Sequence, residues 1–263
     1  MALGRRNGGD TAALSFGGAM TRERRAALLM LLTLISGLVD AIAYLGLGHV
    51  FTANMTGNTV LLGMAIGGAP RLSVTRSATA LVGFVAGAGV GAAIVHRGPD
   101  HPVWPPAVTL ALTLESAALI VLSLGTLLVG PTHGRLEETV LIALAALPMG
   151  IQSTAVRRLG VAGVATTVIT STLAEVVSGL VRQPGRAERG EGGSGGLTTL
   201  QGAVFLAYGA GAVAGALGDH LWHLHALWLP AALSALAVLA AFAGYHGSGD
   251  VGVDPAELDR QNR

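Results

Sequence analysis

Three carboxylates stand inside otherwise apolar stretches of the chain: Asp40, Glu115 and Glu175. A charge near the centre of a bilayer costs at least ~2.5 kcal/mol unless it is paired, protonated or wetted, so intramembrane acids are candidates for handling ions or protons. Asp40 is the strongest candidate because polar residues gather just after it. The run Phe51-Thr-Ala-Asn54-Met-Thr56-Gly57-Asn58 opens one hydrophobic segment with amides, hydroxyls and a glycine, and Thr166-Thr167-Val-Ile-Thr170-Ser-Thr172 interrupts another. Each leaves only about ten apolar residues behind it, half the length of a spanning helix. A half-helix that starts near the midplane aims its unsatisfied amides and positive dipole end at a ligand. The candidate substrate-binding set is therefore Asp40, Asn54, Thr56, Gly57, Asn58, Gln152, Thr166, Thr167, Thr170 and Thr172. The competing reading is ordinary hydrogen bonding between helices by Ser, Thr and Asn. For the three acids the competing reading is a cap or a helix-pairing carboxylate.

Other chemistry is thinner. Asp219-His220-x-Trp222-His223-x-His225 puts His220 and His223 on one helical face, a spacing that imidazole ligands of zinc use. Its place between two hydrophobic segments, beside Trp222 and Trp228, fits an aromatic and polar belt at the membrane surface better. No nucleophile elbow, phosphate loop or His-Glu-x-x-His helix occurs, so no catalytic residue, metal or cofactor is assigned. With no Cys, disulfides and thiolate metal sites are excluded.

These residues are carried by a chain whose solvent is lipid. Of 263 residues, 51% are apolar and 12% charged, against about 25% charged in a soluble domain; mean hydropathy is +0.61. A net charge of +1, with Arg as the only strong cation, gives no footprint for nucleic acid. Eight stretches are long enough to be membrane segments: about 26–47, 51–69, 77–95, 105–130, 139–156, 159–181, 198–218 and 226–245. Residues 1–25 and 246–263 read as hydrophilic, flexible tails and 183–197 as a flexible linker. Arg22, Arg24 and Arg25, then an apolar run and Ala41-Ile42-Ala43, imitate a signal peptide. Asp40 beside the would-be cleavage site, and the run continuing into a second segment, favour a retained helix.

The eight segments fall into two sets of four. His101-Pro-Val-Trp104 and His225-Ala-Leu-Trp228 match at an offset of 124, as do Phe84, Gly87 and Gly91 with Tyr208, Gly211 and Gly215. Upstream, Gly37 pairs with Gly150, and Val50, Thr52 and Thr56 with Val164, Thr166 and Thr170, at offsets of 113 to 114. The linker accounts for the difference. The repeats are read as 26–130 and 137–245. Gly83-x3-Gly87-x3-Gly91 and Ala207-x3-Gly211-x3-Gly215 line one helix face with small residues, which lets helix backbones approach closely in lipid.

Orientation follows from Arg, which concentrates in cytoplasmic loops. Inverted halves, in which the second and sixth segments do not span, predict more Arg on the inner copy of every loop. Arg22, Arg24 and Arg25 outnumber Arg135; Arg157 and Arg158 have no counterpart near His49. Arg182, Arg186 and Arg189 outnumber Arg71 and Arg76, and Arg97 has none at 219–225. Parallel halves of eight spans would place Arg157 and Arg158 outside. The expected fold is an all-α, polytopic transmembrane helical bundle of two inverted four-segment repeats, about six full spans plus two broken or re-entrant helices, with its N-terminus cytoplasmic.

The string Ser36-Gly37-Leu-Val-Asp40-Ala-Ile-Ala-Tyr-Leu-Gly-Leu-Gly-His-Val50-Phe51-Thr-Ala-Asn54-Met-Thr56-Gly57-Asn58-Thr resembles the signature of the YoaK-like bacterial membrane proteins, a family of unknown function. Met149-Gly150-Ile-Gln152-Ser-Thr-Ala-Val-Arg157-Arg158-Leu-Gly, with Thr166-Thr167-Val-Ile-Thr170 after it, is similar to the second signature, departing at Ser171 where a Gly is expected. The resemblance covers roughly residues 26–245. It implies a bacterial inner-membrane protein of about six spans and supplies no substrate. The residues themselves point to a secondary transporter or permease of a small solute, with protons coupled through Asp40. The rival is a membrane scaffold or partner-binding protein whose polar motifs lock helices together.

Overall fold

The structure, a computed structural model, describes residues 22–97, 104–128, 134–159 and 194–246. The segment holding Thr166, Thr167, Thr170, Thr172 and Glu175, most of the linker, and the tails apart from residues 22–25, which open α1, and 246, which ends α7, lie outside these residues. Every regular element among the described residues is helical. They are α1 (Arg22–Gly46), α2 (Met55–Ile66), α3 (Val74–Val95), α4 (Pro106–Leu128), α5 (Arg135–Arg158), α6 (Ser194–Trp222), a 3-10 turn at His223–Leu227, and α7 (Trp228–His246). Five stretches are long and apolar enough to cross a membrane: Glu23–Gly46, Val74–Val95, Pro106–Leu128, Arg135–Arg158 and Gly202–Ala243. The chain is thus a multi-pass membrane protein, all-helical among the described residues.

α1 is the central helix. Leu28, Leu29, Leu32, Ile35, Leu38, Val39, Ile42 and Ala43, at helical spacing, are all buried, so α1 presents apolar residues to neighbours on most of its circumference. It runs unbroken through Ala41-Ile42-Ala43. α3, α4 and α6 instead expose Val82, Val85, Leu110, Val121, Leu206, Val213 and Leu217, the outward faces that lipid covers. α5 extends beyond the expected 139–156 because Glu137 and Glu138 sit in its first turn and Arg157 and Arg158 in its last. Those charges complement the helix dipole and continue the helix past its apolar run.

Glycines set how the long helices pair. The largest contacts are α3 with α5 and α1 with α6. A side chain on Gly83, Gly87 or Gly91 would strike the α5 backbone at Ala143, Leu147 and Ile151. One on Gly211 or Gly215 would strike α1 at Leu34 and Leu38. Numbers rise together on both partners, so each pair runs parallel. The approach is reciprocal: Gly37 of α1 faces the backbone of Tyr208 and Ala212, and Gly150 of α5 faces that of Phe84 and Ala88.

The two pairs run in opposite directions. Arg76, in the first turn of α3, is ion-paired with Glu138, in the first turn of α5, at 2.9 Å. A Cβ on Gly48, just past the end of α1, would lie 2.6 Å from Glu138 Oε1 and 2.7 Å from Arg76 Nε. The end of α1 therefore meets the beginnings of α3 and α5. At the other end of the bundle, Arg25 in the first turn of α1 donates to the carbonyl of Leu159, just after α5. α4 and α7 pack antiparallel: Ser123 near the end of α4 donates to the carbonyl of Leu227, just before α7, at 3.0 Å.

One consequence concerns α2. Residue 48 and residue 76 are neighbours, so the chain between them leaves one end of the bundle and returns to it. α2 has 12 residues, about 18 Å of helix, against a hydrocarbon core of roughly 30 Å.

Candidate functional site

The polar run after α1 is folded around Asp40. The chain leaves α1 through Gly48 and His49, both with left-handed backbone (φ 78° and 65°), a conformation that glycine adopts without strain. Tyr44 stacks on Phe51 with ring centroids 4.9 Å apart and meets His49 edge-on at 5.2 Å. This reversal brings residues 52–54 back along α1 to the carboxylate. Oδ1 of Asp40 accepts from the Thr52 amide (2.6 Å), the Ala53 amide (2.6 Å) and the Thr52 hydroxyl (2.9 Å). Oδ2 accepts from the Asn54 amide (3.0 Å) and from the Tyr208 hydroxyl of α6 (2.5 Å). Asp40 is 2% exposed. Five donors fill the roughly four lone-pair directions of an ionised carboxylate, and a protonated acid would present one donor in place of an acceptor. Asp40 thus holds the backbone of the break, satisfying amides that no helix reaches.

α2 starts on that platform. Asn54 is its N-cap, its side chain accepting from the Gly57 amide at 3.1 Å. Asn58, fully buried, pairs with the backbone of Phe51 as a strand would: Oδ1 accepts from the Phe51 amide (2.9 Å) and Nδ2 donates to its carbonyl (2.6 Å). A Cβ at Gly57 would lie 2.8 Å from the Phe51 ring, so only glycine fits. Thr56, in the first turn of α2, is exposed.

The structure brings Asp40, Asn54, Gly57 and Asn58 into one cluster and places Gln152 next to it. Gln152 of α5 donates to the carbonyl of Leu32 (2.7 Å) and approaches Ser36 Oγ at 3.5 Å. Those contacts lie one to two turns back from Asp40 on α1, about 6–12 Å along its axis. Sequence reasoning missed Thr52 and Tyr208 as partners of Asp40. The signal for Tyr208 lay in its match to Phe84: a hydroxyl is added on the helix that faces Asp40.

Glu115 stands apart, at the middle of α4, 0% exposed. Ser234 of α7, also 0% exposed, is the polar side chain that faces it. Among the described residues, neither carboxyl oxygen, nor the Ser234 hydroxyl, has a hydrogen-bond partner. Asp219, His220, His223 and His225 cluster at the α6–α7 turn beside the exposed Trp222 and Trp228; among the described residues no three His, Asp or Glu side chains converge as a metal site.

Residues 28–240 match a family described as protein of unknown function (DUF1275). The chain is 41% identical over 218 residues to the UPF0700 transmembrane protein YoaK of Bacillus subtilis (strain 168), a match covering 80% of this chain and 90% of that protein. No solved structure matches it. The matched span runs from α1 into α7 and includes the Asp40 cluster, and on it the chain belongs to the YoaK-like family of membrane proteins, DUF1275, of unknown function.

Proposed function

We propose that the protein is a secondary permease of a small solute, built from two inverted halves of a bacterial inner membrane protein. The observation that carries this reading is α2: a helix of half-span length, re-entering from the end at which it leaves, with its first turn braced on a buried carboxylate. Interrupted helices in corresponding positions of two inverted halves are the architecture in which transporters bind solute near the midplane.

Support for the duplication comes from the reciprocal glycine contacts. Gly87 on Leu147 and Gly91 on Ile151 correspond to Gly211 on Leu34 and Gly215 on Leu38, at offsets of 124 for the glycines and 113 for their partners. Gly150 on Phe84 corresponds likewise to Gly37 on Tyr208. α1 and its counterpart α5 run oppositely, as do α3 with α6 and α4 with α7, which favours inversion over a parallel arrangement. Gly202–Ala243 spans 42 residues, about 63 Å of helix if straight, and is divided by the turn at His223. Counting it twice gives six spans. Arg22, Arg24, Arg25, Arg97, Arg157 and Arg158 share the end of the bundle where α1 begins, and the opposite end holds Arg71, Arg76 and Arg135. This distribution favours a cytoplasmic N-terminus.

A second reading, a scaffold or partner-binding protein, is favoured by one observation: the polar groups of Asp40, Asn58 and Gln152 are used up on other parts of the same chain. Substituting them would unfold a permease and a scaffold alike. Thr56 discriminates, because its exposed side chain is on the α2 turn without bracing it. The test is thermal stabilisation of the purified protein against a panel of small metabolites, followed by uptake in proteoliposomes for any hit. A permease gives a hit that Thr56→Val weakens at least about tenfold with the unliganded melting temperature unchanged. A panel without a hit, and no uptake, leaves the scaffold.

A further inference from the structure

Asp40 has no acceptor to spare, and Glu115 has both. In a hydrocarbon surround, an ionised carboxylate without a donor is far less stable than the neutral acid. The neutral acid needs only one acceptor for its proton, and Ser234 Oγ faces it. A metal cation would need more: hard cations take six or more oxygens, and the two carboxyl oxygens and one hydroxyl here make three. Among the described residues no three His, Asp or Glu side chains gather there. The ligand chemistry that fits is a single proton.

Among the described residues, charged groups of the packed elements stay clear of the site. Glu115 is the tenth residue of the 23-residue α4, about 14 Å from its start and about 20 Å from its end. On α3 the cation is Arg76, already paired with Glu138; on α5, Arg135, Glu137, Glu138, Arg157 and Arg158 occupy the terminal turns. His223 and His225 belong to the turn before α7. α7 itself carries no charged residue before its last position, His246, and gives Glu115 the Ser234 hydroxyl alone. α4 and α7 are the last helices of the two halves, packed on each other, so the pair sits where one half meets the other.

We propose that the Glu115–Ser234 pair is a proton-binding site inside the bundle, separate from the Asp40 brace. Binding converts the carboxylate to the acid, whose O–H is directed at Ser234 Oγ; release returns it. That the site couples solute movement to protons rests on the permease reading, but its occupation by a proton does not.

The test is reaction of the full-length protein in lipid vesicles with dicyclohexylcarbodiimide, read by intact mass and peptide mapping. This apolar reagent adds to a protonated carboxyl, the acid hydrogen moving to nitrogen and the oxygen to the central carbon, and rearranges to a stable acylurea one reagent mass heavier. The expected result is one dominant adduct at Glu115 and none at Asp40, with a rate falling about tenfold per pH unit once the acid ionises. Glu115→Gln removes the adduct with the melting temperature retained, and Ser234→Ala changes the rate at fixed pH by roughly threefold or more. An unlabelled Glu115 in a cooperatively melting protein, or labelling indifferent to pH, overturns the proposal. The two readings fail separately. PH-dependent labelling in a protein that carries no solute ends the permease and leaves the proton site, whereas solute uptake without the Glu115 adduct does the reverse.

Discussion

Tyr208 donates its hydroxyl to Oδ2 of Asp40 at 2.5 Å across 168 positions of sequence, tying the start of the α2 excursion to α6. Its backbone carbonyl also faces Gly37 of α1, so one residue contributes to both helix packing and the polar brace. Tyr208→Phe keeps the packing and removes one of five donors. A loss of about 1–2 kcal/mol is expected from a charge-assisted bond in a membrane setting, read as a lower detergent-solubilised melting temperature. Asp40→Asn costs at least ~3 kcal/mol, because the amide turns a donor toward backbone N–H groups. In the double variant the two losses add to less than their sum, since the tyrosine bond no longer exists to be lost.

The glycine contacts predict a position-specific series. Gly87→Ala and Gly211→Ala place a methyl against the carbonyls of Leu147 and Leu34, and each is expected to destabilise by about 1–3 kcal/mol through overpacking. Gly89→Ala and Gly209→Ala meet nothing within 4 Å and gain up to ~1 kcal/mol of helix propensity. Equal effects at all four positions would count against the pairing.

Gly48 combines a left-handed backbone with a close approach to the Arg76–Glu138 pair. Gly48→Ala is expected to cost about 1–2 kcal/mol. Glu138→Gln, which leaves the backbone alone, costs less than ~1 kcal/mol for this partly exposed pair. Thermal melts of the two variants separate backbone strain from the charge contact.

The Cys-free sequence permits a topology assay. Ser73→Cys and Leu136→Cys lie near the starts of α3 and α5, at the same end of the bundle. With inverted halves and a cytoplasmic N-terminus, an impermeant thiol reagent labels both from outside intact cells. Protection of both until lysis would reverse the assignment.

How far these relationships could be read beforehand depended on their range in the chain. The helices follow from apolar length, and the shortness of α2 from Asn54, Thr56, Gly57 and Asn58 falling inside an apolar run. The small-residue faces at Gly83–Gly91 and Gly211–Gly215 were also legible, because helical spacing is a local property. Their partners were not: which helix Gly87 faces depends on how the helices pack in three dimensions. Hydropathy likewise marks Asp40 and Glu115 as the same anomaly, and only the surroundings separate an acid with five donors from one with none. The seam between α4 and α7, where Ser234 sits, has no local mark at all.

Because α1 packs on α6, the two are bound together by geometry and kept apart by time. At about 5–20 residues per second, the ribosome needs roughly 8–34 s to pass from Asp40 to Tyr208. Through that interval Gly37 has no helix to lie against and Asp40 lacks its last donor. The nascent protein therefore has to be sheltered by insertion machinery or lipid until α6 arrives, and truncation before α6 leaves a fragment that quality-control proteases should clear rather than a working protein.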